Sequence, residues 1–140
     1  MKGWYYKELT EKQKTLSYEY MKAECSLIWI DKVFEEAWEA YTLNKFKYDG
    51  ATFVRENRDI FWEVASFIHD WLNIIGYVGT VVDLYFLQIM FELDYPKSIQ
   101  RERYKWMQWT FLNVLIHKVR GNYIGNTLPK HLEKDSLSLF

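Results

Sequence analysis

The stretch FIHDWLNIIGYVGTVVDLYF, residues 67–86, decides the fold that we expect for this chain. Its first half places apolar residues at helical spacing, and Gly76 follows as a plausible helix stop. A second helical pattern begins at Thr80, so the short connection with Gly76 and Gly79 predicts a helical hairpin. The histidine and aspartate residues of this mostly apolar stretch are His69, Asp70 and Asp83.

The hairpin belongs to a helical pattern that fills the second half of the chain. Apolar periodicity predicts helices over residues 58–75, 80–93 and 98–120, and Pro96 and Gly121 bound the third. We expect these helices to bury five rings: Trp62, Phe67, Trp71, Phe86 and Trp109.

The first third of the chain carries two shorter patterns. WIDKVFEEAWEAY, residues 29–41, has its apolar residues on one helical face and predicts a helix. YTLNKFKYDGATFV, residues 41–54, alternates before the turn signal Asp49-Gly50 and predicts a strand or short hairpin that enters a loop. The whole pattern predicts a mainly helical α+β fold, in which the helical hairpin and a long third helix pack on a small N-terminal strand/helix element.

Length and composition favour one domain and argue against several classes of partner. The 140 residues predict a single domain, residues 1–140, with a core at 45–123 and a polar C-terminal extension at 124–140. A net charge of -1 gives no electrostatic reason to expect nucleic-acid binding. The aromatic share of 19% is high enough that some rings are expected at the surface, either in an interface or simply as the bulk of a short chain.

The sequence also bears on the cellular compartment. The lone Cys25 has no partner for an internal disulfide, which favours a reducing environment and a buried thiol. The first residues lack a secretory leader pattern, so we expect the chain to stay in the cell that makes it. The most membrane-like segment, residues 71–90, is interrupted by Gly76 and Gly79 and by the polar residues Asn73 and Asp83. An integral membrane protein is therefore not expected.

Four short stretches carry a family resemblance. In order they are DGATFVR at 49–55, FIHDWL at 67–72, Asp83 and FLQIMFEL at 86–93. This order resembles a phage and prophage family known as domain of unknown function 1353, over about residues 46–123. That family joins a D-G-A-S-type turn and a nearby arginine to a helix with His-Asp, a later aspartate and an aromatic-rich final helix. The resemblance implies a bacteriophage protein, located in the host cytoplasm or the virion, and it supplies no reaction.

The resemblance can be followed residue by residue. The turn matches at Asp49, Gly50, Ala51 and Thr52, the arginine at Arg55, the dyad at His69 and Asp70, and the later acid at Asp83. Two positions depart from the pattern: Val54 replaces a proline, and Asn73 replaces the tyrosine of an HDxxY arrangement. The missing phenol removes a group that would orient a carboxylate.

These residues define the candidate site. His69, Asp70 and Asp83 are the candidate catalytic residues, because an imidazole can activate water while a carboxylate holds a hard cation. The candidate binding residues lie in the loop before them: Asp49, Gly50, Thr52 and Arg55. Asp70 and Asp49 are the candidate ligands of a divalent cation such as calcium. The order is reminiscent of secreted phospholipases of the A2 type, although their cysteine framework is absent here.

A structural interpretation competes with this catalytic one. Thr80 and Asp83 fit the N-cap and N3 positions of a capping box, which alone explains the acid. His69 would then bond a carbonyl, and Asp70 would bond a neighbouring loop or Arg55. In either case we expect the loop at Asp49, the dyad and the start of the second helix to converge.

Two function classes follow. The first is a non-enzymatic bacteriophage protein, associated with the virion or with a host factor, whose polar cluster is structural. The second is a small metal-dependent hydrolase, phospholipase-like or directed at the cell wall, that uses His69 and Asp70. An exposed aromatic patch continuous with a partner interface would favour the first class, and a concave pocket lined by His69, Asp70 and Asp49 would favour the second.

The predicted third helix combines basic and aromatic residues. Its cations surround four rings: Tyr104, Trp106, Trp109 and Phe111. The preferred interpretation is a solvated rim, made by Arg101, Arg103, Lys105, Lys118 and Arg120, around a packed core. The alternative is contact with phosphate or with a lipid headgroup at the periphery of a membrane.

Overall fold

The computed structural model of the protein describes residues 3–25, 30–48 and 62–133, and these residues are mainly helical, as predicted. A 3₁₀ helix at Tyr6–Glu8 precedes the α-helices, which are α1 (Glu11–Cys25), α2 (Asp31–Thr42), α3 (Val64–Ile74), α4 (Thr80–Glu92), α5 (Lys97–Met107), α6 (Thr110–Arg120) and α7 (Lys130–Glu133). The chain divides into two compact units, Met1–Trp71 and Leu72–Phe140. No α-helix of the described residues combines the length and the apolar character needed to cross a bilayer.

The predicted N-terminal strand is absent from residues 3–25 and 30–48. The alternating segment forms one isolated antiparallel bridge instead, between Trp4 and Tyr48. Two backbone hydrogen bonds of 3.0 and 3.1 Å make this bridge, and the chain after Trp4 turns into the 3₁₀ helix within two residues. On the side of Tyr5 and Tyr6 the ladder therefore ends at Trp4. The part of the prediction at residues 49–54 lies outside the described residues.

The first unit is built around an aromatic core. The predicted helix at residues 29–41 is confirmed as α2, which buries Val33, Phe34 and Ala37 on its inner face. Phe67 of α3 is fully buried, and five ring centroids lie 5.1–6.0 Å from its own: those of Phe34, Trp38, Tyr41, Phe46 and Tyr48. Such ring pairs add about 0.5–1.5 kcal/mol each beyond their buried area. This cluster joins α2 to α3 and the segment after α2.

The start of α3 is held by a side chain from α1. Glu24 is buried, and its carboxylate accepts the backbone N–H groups of Trp62, Glu63 and Val64 at 2.9, 3.2 and 3.1 Å. A carboxylate at this position satisfies backbone donors that lack an intrahelical partner and opposes the positive end of the helix dipole. The helix therefore starts at Val64, although we predicted a helix from residue 58, and residues 58–61 lie outside the described part of the chain.

In the second unit, α4 confirms the predicted second helix within one residue. The predicted capping box is wrong, however, because Gly79 is the N-cap and Thr80 is already helical. Asn126 takes over the cap: its Oδ1 accepts the Val81 N–H at 2.8 Å, and its Nδ2 donates to the Thr80 hydroxyl at 3.1 Å. A Cβ on Gly79 would lie 2.3 Å from the Asn126 side chain, and Gly79 has a φ of +140°. Only glycine admits this close approach.

The predicted third helix is two helices in the structure. The backbone tightens at Gln108 and Trp109, which donate to carbonyl oxygens three residues earlier at 3.3 and 3.2 Å. This 3₁₀-type turn separates α5 from α6 within the predicted span. Of the five rings predicted to be buried, Phe67, Trp71 and Phe86 are buried, while Trp62 is half-buried and Trp109 is 60% exposed. The prediction for Trp109 was therefore wrong.

Candidate functional site

The sequence-predicted polar residues lie partly in the two units and partly outside the described residues. His69 and Asp70 are consecutive half-buried residues of α3 in the first unit, and Asp83 is buried in the first turn of α4 in the second. The predicted binding residues lie outside the described part of the chain: Asp49, Gly50, Thr52 and Arg55. The convergence of these groups therefore stays a prediction.

The described residues do not form a cluster of side chains that could complete the predicted cation site. Within residues 3–25, 30–48 and 62–133, no group of three or more His, Cys, Asp or Glu side chains could hold a metal ion. Asp70 lies within these ranges and Asp49 outside them, so the calcium hypothesis rests on the sequence alone.

Cys25 is buried and free, as the sequence suggested. Burial, reinforced by the neighbouring Glu24 charge, raises the pKa of the Cys25 thiol well above its usual range. The thiolate is the reactive form of cysteine, so this side chain is a core group and not a nucleophile.

The side chains of α6 are arranged with apolar groups outward. Phe111 is 71% exposed, Leu115 55% and Val119 80%, and these residues follow one another at helical spacing. Together with their neighbours they form what we call the apolar stripe: Phe111, Leu112, Leu115, Ile116 and Val119. The shielded side of the same helix carries polar groups, among them Asn113 and the buried His117. This polarity is the reverse of an ordinary surface helix, which buries its apolar side.

The outer side of α5 is cationic. Lys97, Arg101 and Lys105 recur every four residues, all three are exposed, and we call them the cationic stripe. Because the three side chains are exposed, they present their charge to solvent.

The two stripes lie on exposed positions of two consecutive helices. The shielded positions of α5 and α6 include Ile99, Arg103, Met107, Thr110, Val114 and His117, which recur at spacings of three and four residues. The exposed positions of both helices together are what we call the outer surface. It carries the cationic stripe, the apolar stripe and the exposed rings of Trp106 and Trp109.

A buried amide in α4 is the other unusual feature of the second unit. Gln88 is only 1% exposed, and neither its amide oxygen nor its amide nitrogen has a hydrogen-bond partner among the described residues. An unpaired buried amide lowers stability, since its hydration is lost without replacement.

Comparisons of this chain with protein-family models, with curated proteins and with solved structures find no match. The resemblance described above therefore stays a prediction.

Sequence reasoning found the residues of the outer surface but assigned them to the wrong side. It placed Trp109 and its neighbouring rings in a packed core with a basic rim, whereas Trp106, Trp109 and Phe111 are exposed. The polar residues Thr110, Asn113 and His117 recur at helical spacing opposite the apolar stripe. Because apolar residues are expected inside, that polar side was not recognised as the shielded one.

Proposed function

We propose that this chain is a non-enzymatic binding protein that acts through the outer surface of α5 and α6. The observation that carries the proposal is the reversed polarity of α6, whose apolar stripe faces solvent over about two and a half helical turns. Protein monomers rarely leave a contiguous apolar patch of this kind uncovered, and such patches mark sites of association. Covering the stripe would gain about 25 cal/mol for each Å² of apolar area removed from water.

A bacteriophage setting, virion-associated or bound to a host factor, is the context that we propose for this binding protein. Its support is the sequence resemblance over about residues 46–123. A protein of either kind works by attachment and requires no reaction. The outer surface would provide that attachment, and the polar dyad His69-Asp70 would serve the fold.

The competing function is a metal-dependent hydrolase that uses His69 and Asp70. It requires a ligand set in which Asp70 acts with residues 49–55, which lie outside the described part of the chain. The outer surface supports attachment and contains neither His69 nor Asp70, so it gives no support to a hydrolytic reaction.

Detergent binding by the purified full chain tests the proposed function. Micelles of dodecyl maltoside offer an uncharged apolar phase, so the chain should elute with bound detergent in size-exclusion chromatography with light scattering. The triple variant Phe111→Gln, Leu115→Gln, Val119→Gln should elute free of detergent and keep its helical circular dichroism, because exposed positions tolerate glutamine, a good helix former.

A matched control removes exposed leucines that do not belong to the apolar stripe. The double variant Leu43→Gln, Leu84→Gln changes side chains that are 59% and 42% exposed, and it should bind detergent like the wild type. The proposed function fails if the wild-type chain carries no detergent, or if the triple variant and the wild type carry the same amount.

A further inference from the structure

We propose that the outer surface binds an anionic lipid membrane, with α5 and α6 lying in the plane of the headgroups. This inference rests on the proposed function and names the partner of the same surface. It joins three features of the two helices: their charge, their aromatic residues and their length.

The charge of the two helices is opposite to that of an anionic bilayer. Residues 97–120 hold six Lys or Arg side chains and one Glu, which gives a net charge of +5, while the whole chain carries -1. Each Lys or Arg close to an anionic bilayer strengthens binding by roughly a factor of five. The cationic stripe alone would therefore contribute about 100-fold.

The aromatic residues of the outer surface suit the boundary between headgroups and acyl chains. Trp106 is 74% exposed, Trp109 60% and Tyr104 53%. Tryptophan and tyrosine concentrate at that boundary because each ring has an apolar body and one polar group. The apolar stripe of α6 would enter the outer acyl region, while Lys118 and Arg120, at the edges of the stripe, would stay among the headgroups.

The length of the helices favours a position along the membrane surface. α5 and α6 have 11 residues each, so each is about 16 Å long, whereas the hydrocarbon core measures about 30 Å. A helix with charges at both edges of a narrow apolar stripe lies parallel to the bilayer.

A second copy of the chain is a less suitable occupant. In a twofold-symmetric dimer the same patch meets itself, so the cations of one copy would approach those of the other. Glu102 is the one acidic residue between residues 97 and 120. Like charges across an interface oppose association, whereas the negative charge of an anionic bilayer attracts the same cations.

Co-sedimentation with lipid vesicles tests the inference. The purified full chain is mixed with vesicles of phosphatidylcholine, or of phosphatidylcholine with about 30% phosphatidylserine as the source of negative surface potential. We expect at least tenfold stronger partitioning onto the anionic vesicles. This preference should fall when sodium chloride rises from about 0.1 M to about 1 M, because the Debye length shortens from about 10 Å to about 3 Å.

Two variants separate the contributions of the stripes. Lys97→Gln, Arg101→Gln, Lys105→Gln should weaken binding to anionic vesicles about 100-fold and leave detergent binding intact. The control Lys32→Gln, Lys45→Gln, Lys47→Gln removes three exposed lysines of the first unit and should bind like the wild type. The apolar-stripe variant should lose binding to both detergent and vesicles.

Three results would overturn the inference. The first is equal partitioning of the wild type onto both kinds of vesicle. The second is an equal loss of vesicle binding in the cationic-stripe variant and in the control that lacks three lysines of the first unit. The third is no vesicle binding by a chain that binds detergent. In the last case the proposed function stands and the occupant is a protein. Sedimentation equilibrium then identifies a second copy if the wild type is dimeric and the apolar-stripe variant monomeric. Absence of detergent binding overturns the proposed function as well.

Discussion

Replacing Glu24 by glutamine should lower the stability of the chain, because the Glu24 side chain caps α3, which begins about forty residues later in the sequence. Its Oε1 accepts the Trp62 N–H, and its Oε2 accepts those of Glu63 and Val64. Glutamine keeps one acceptor oxygen and replaces the other by an amino group, which cannot accept. At least one backbone N–H therefore loses its partner, and the helix dipole loses a facing charge.

The magnitude follows from these contacts. A hydrogen bond to a charged acceptor contributes about 1.5–3 kcal/mol, and an unpaired buried donor costs about 1–3 kcal/mol. The group at the turn before α3 also includes Trp62, whose φ of 105° is strained for a residue with a side chain and needs its neighbours to hold it. We expect Glu24→Gln to lower the free energy of unfolding by about 2–4 kcal/mol.

Urea unfolding followed by circular dichroism measures this change, as a lower midpoint at an unchanged slope. Glu19→Gln is the matched control, since Glu19 is exposed on the same helix and should change stability by less than about 0.5 kcal/mol. A Glu24→Gln chain as stable as this control would refute the assignment of Glu24 as the cap of α3.

Three further predictions concern single side chains. Asn126→Ala should lower the free energy of unfolding by about 1 kcal/mol in urea titrations, because the start of α4 loses its cap; a change below the error of the titration would contradict this. Gln88→Met should raise the thermal midpoint, since a polar group without a partner is replaced by an apolar one of similar size; a lower midpoint would mean that the amide is satisfied. Asp70→Ala should lower stability by about 1–3 kcal/mol if Asp70 serves the fold. Unchanged stability together with loss of a calcium-dependent ester hydrolysis would favour the hydrolase instead.

The helices that the sequence predicted correctly are those whose pattern is local. α2 carries apolar periodicity over its length, α4 is a run of mostly apolar residues, and Gly76 and Gly79 stand between α3 and α4. Such segments can be recognised without information from distant residues.

The features that the sequence did not predict depend on distant or absent neighbours. Glu24 and Asn126 cap helices whose capped N–H groups lie 40 and 45 residues away in the chain. No local sequence motif therefore predicts these two caps. The assumption that apolar residues lie inside assigned Trp109 to the core, although α6 shields its polar side. The dyad His69-Asp70 was identified in the sequence, but two of its proposed partners, Asp49 and Arg55, lie outside the described residues.

Fluorescence from a probe on α6 tests the central claim most directly. Cys25 is buried with a raised thiol pKa, so a cysteine introduced by Leu115→Cys can be labelled selectively with an environment-sensitive nitrobenzoxadiazole dye. We expect blue-shifted, brighter emission on vesicles containing phosphatidylserine, quenched by spin-labelled acyl chains, and no change for the same dye at Leu43→Cys in the first unit. The account would be contradicted if the labelled chain co-sedimented with the vesicles while the dye at position 115 kept the emission spectrum of a probe in water.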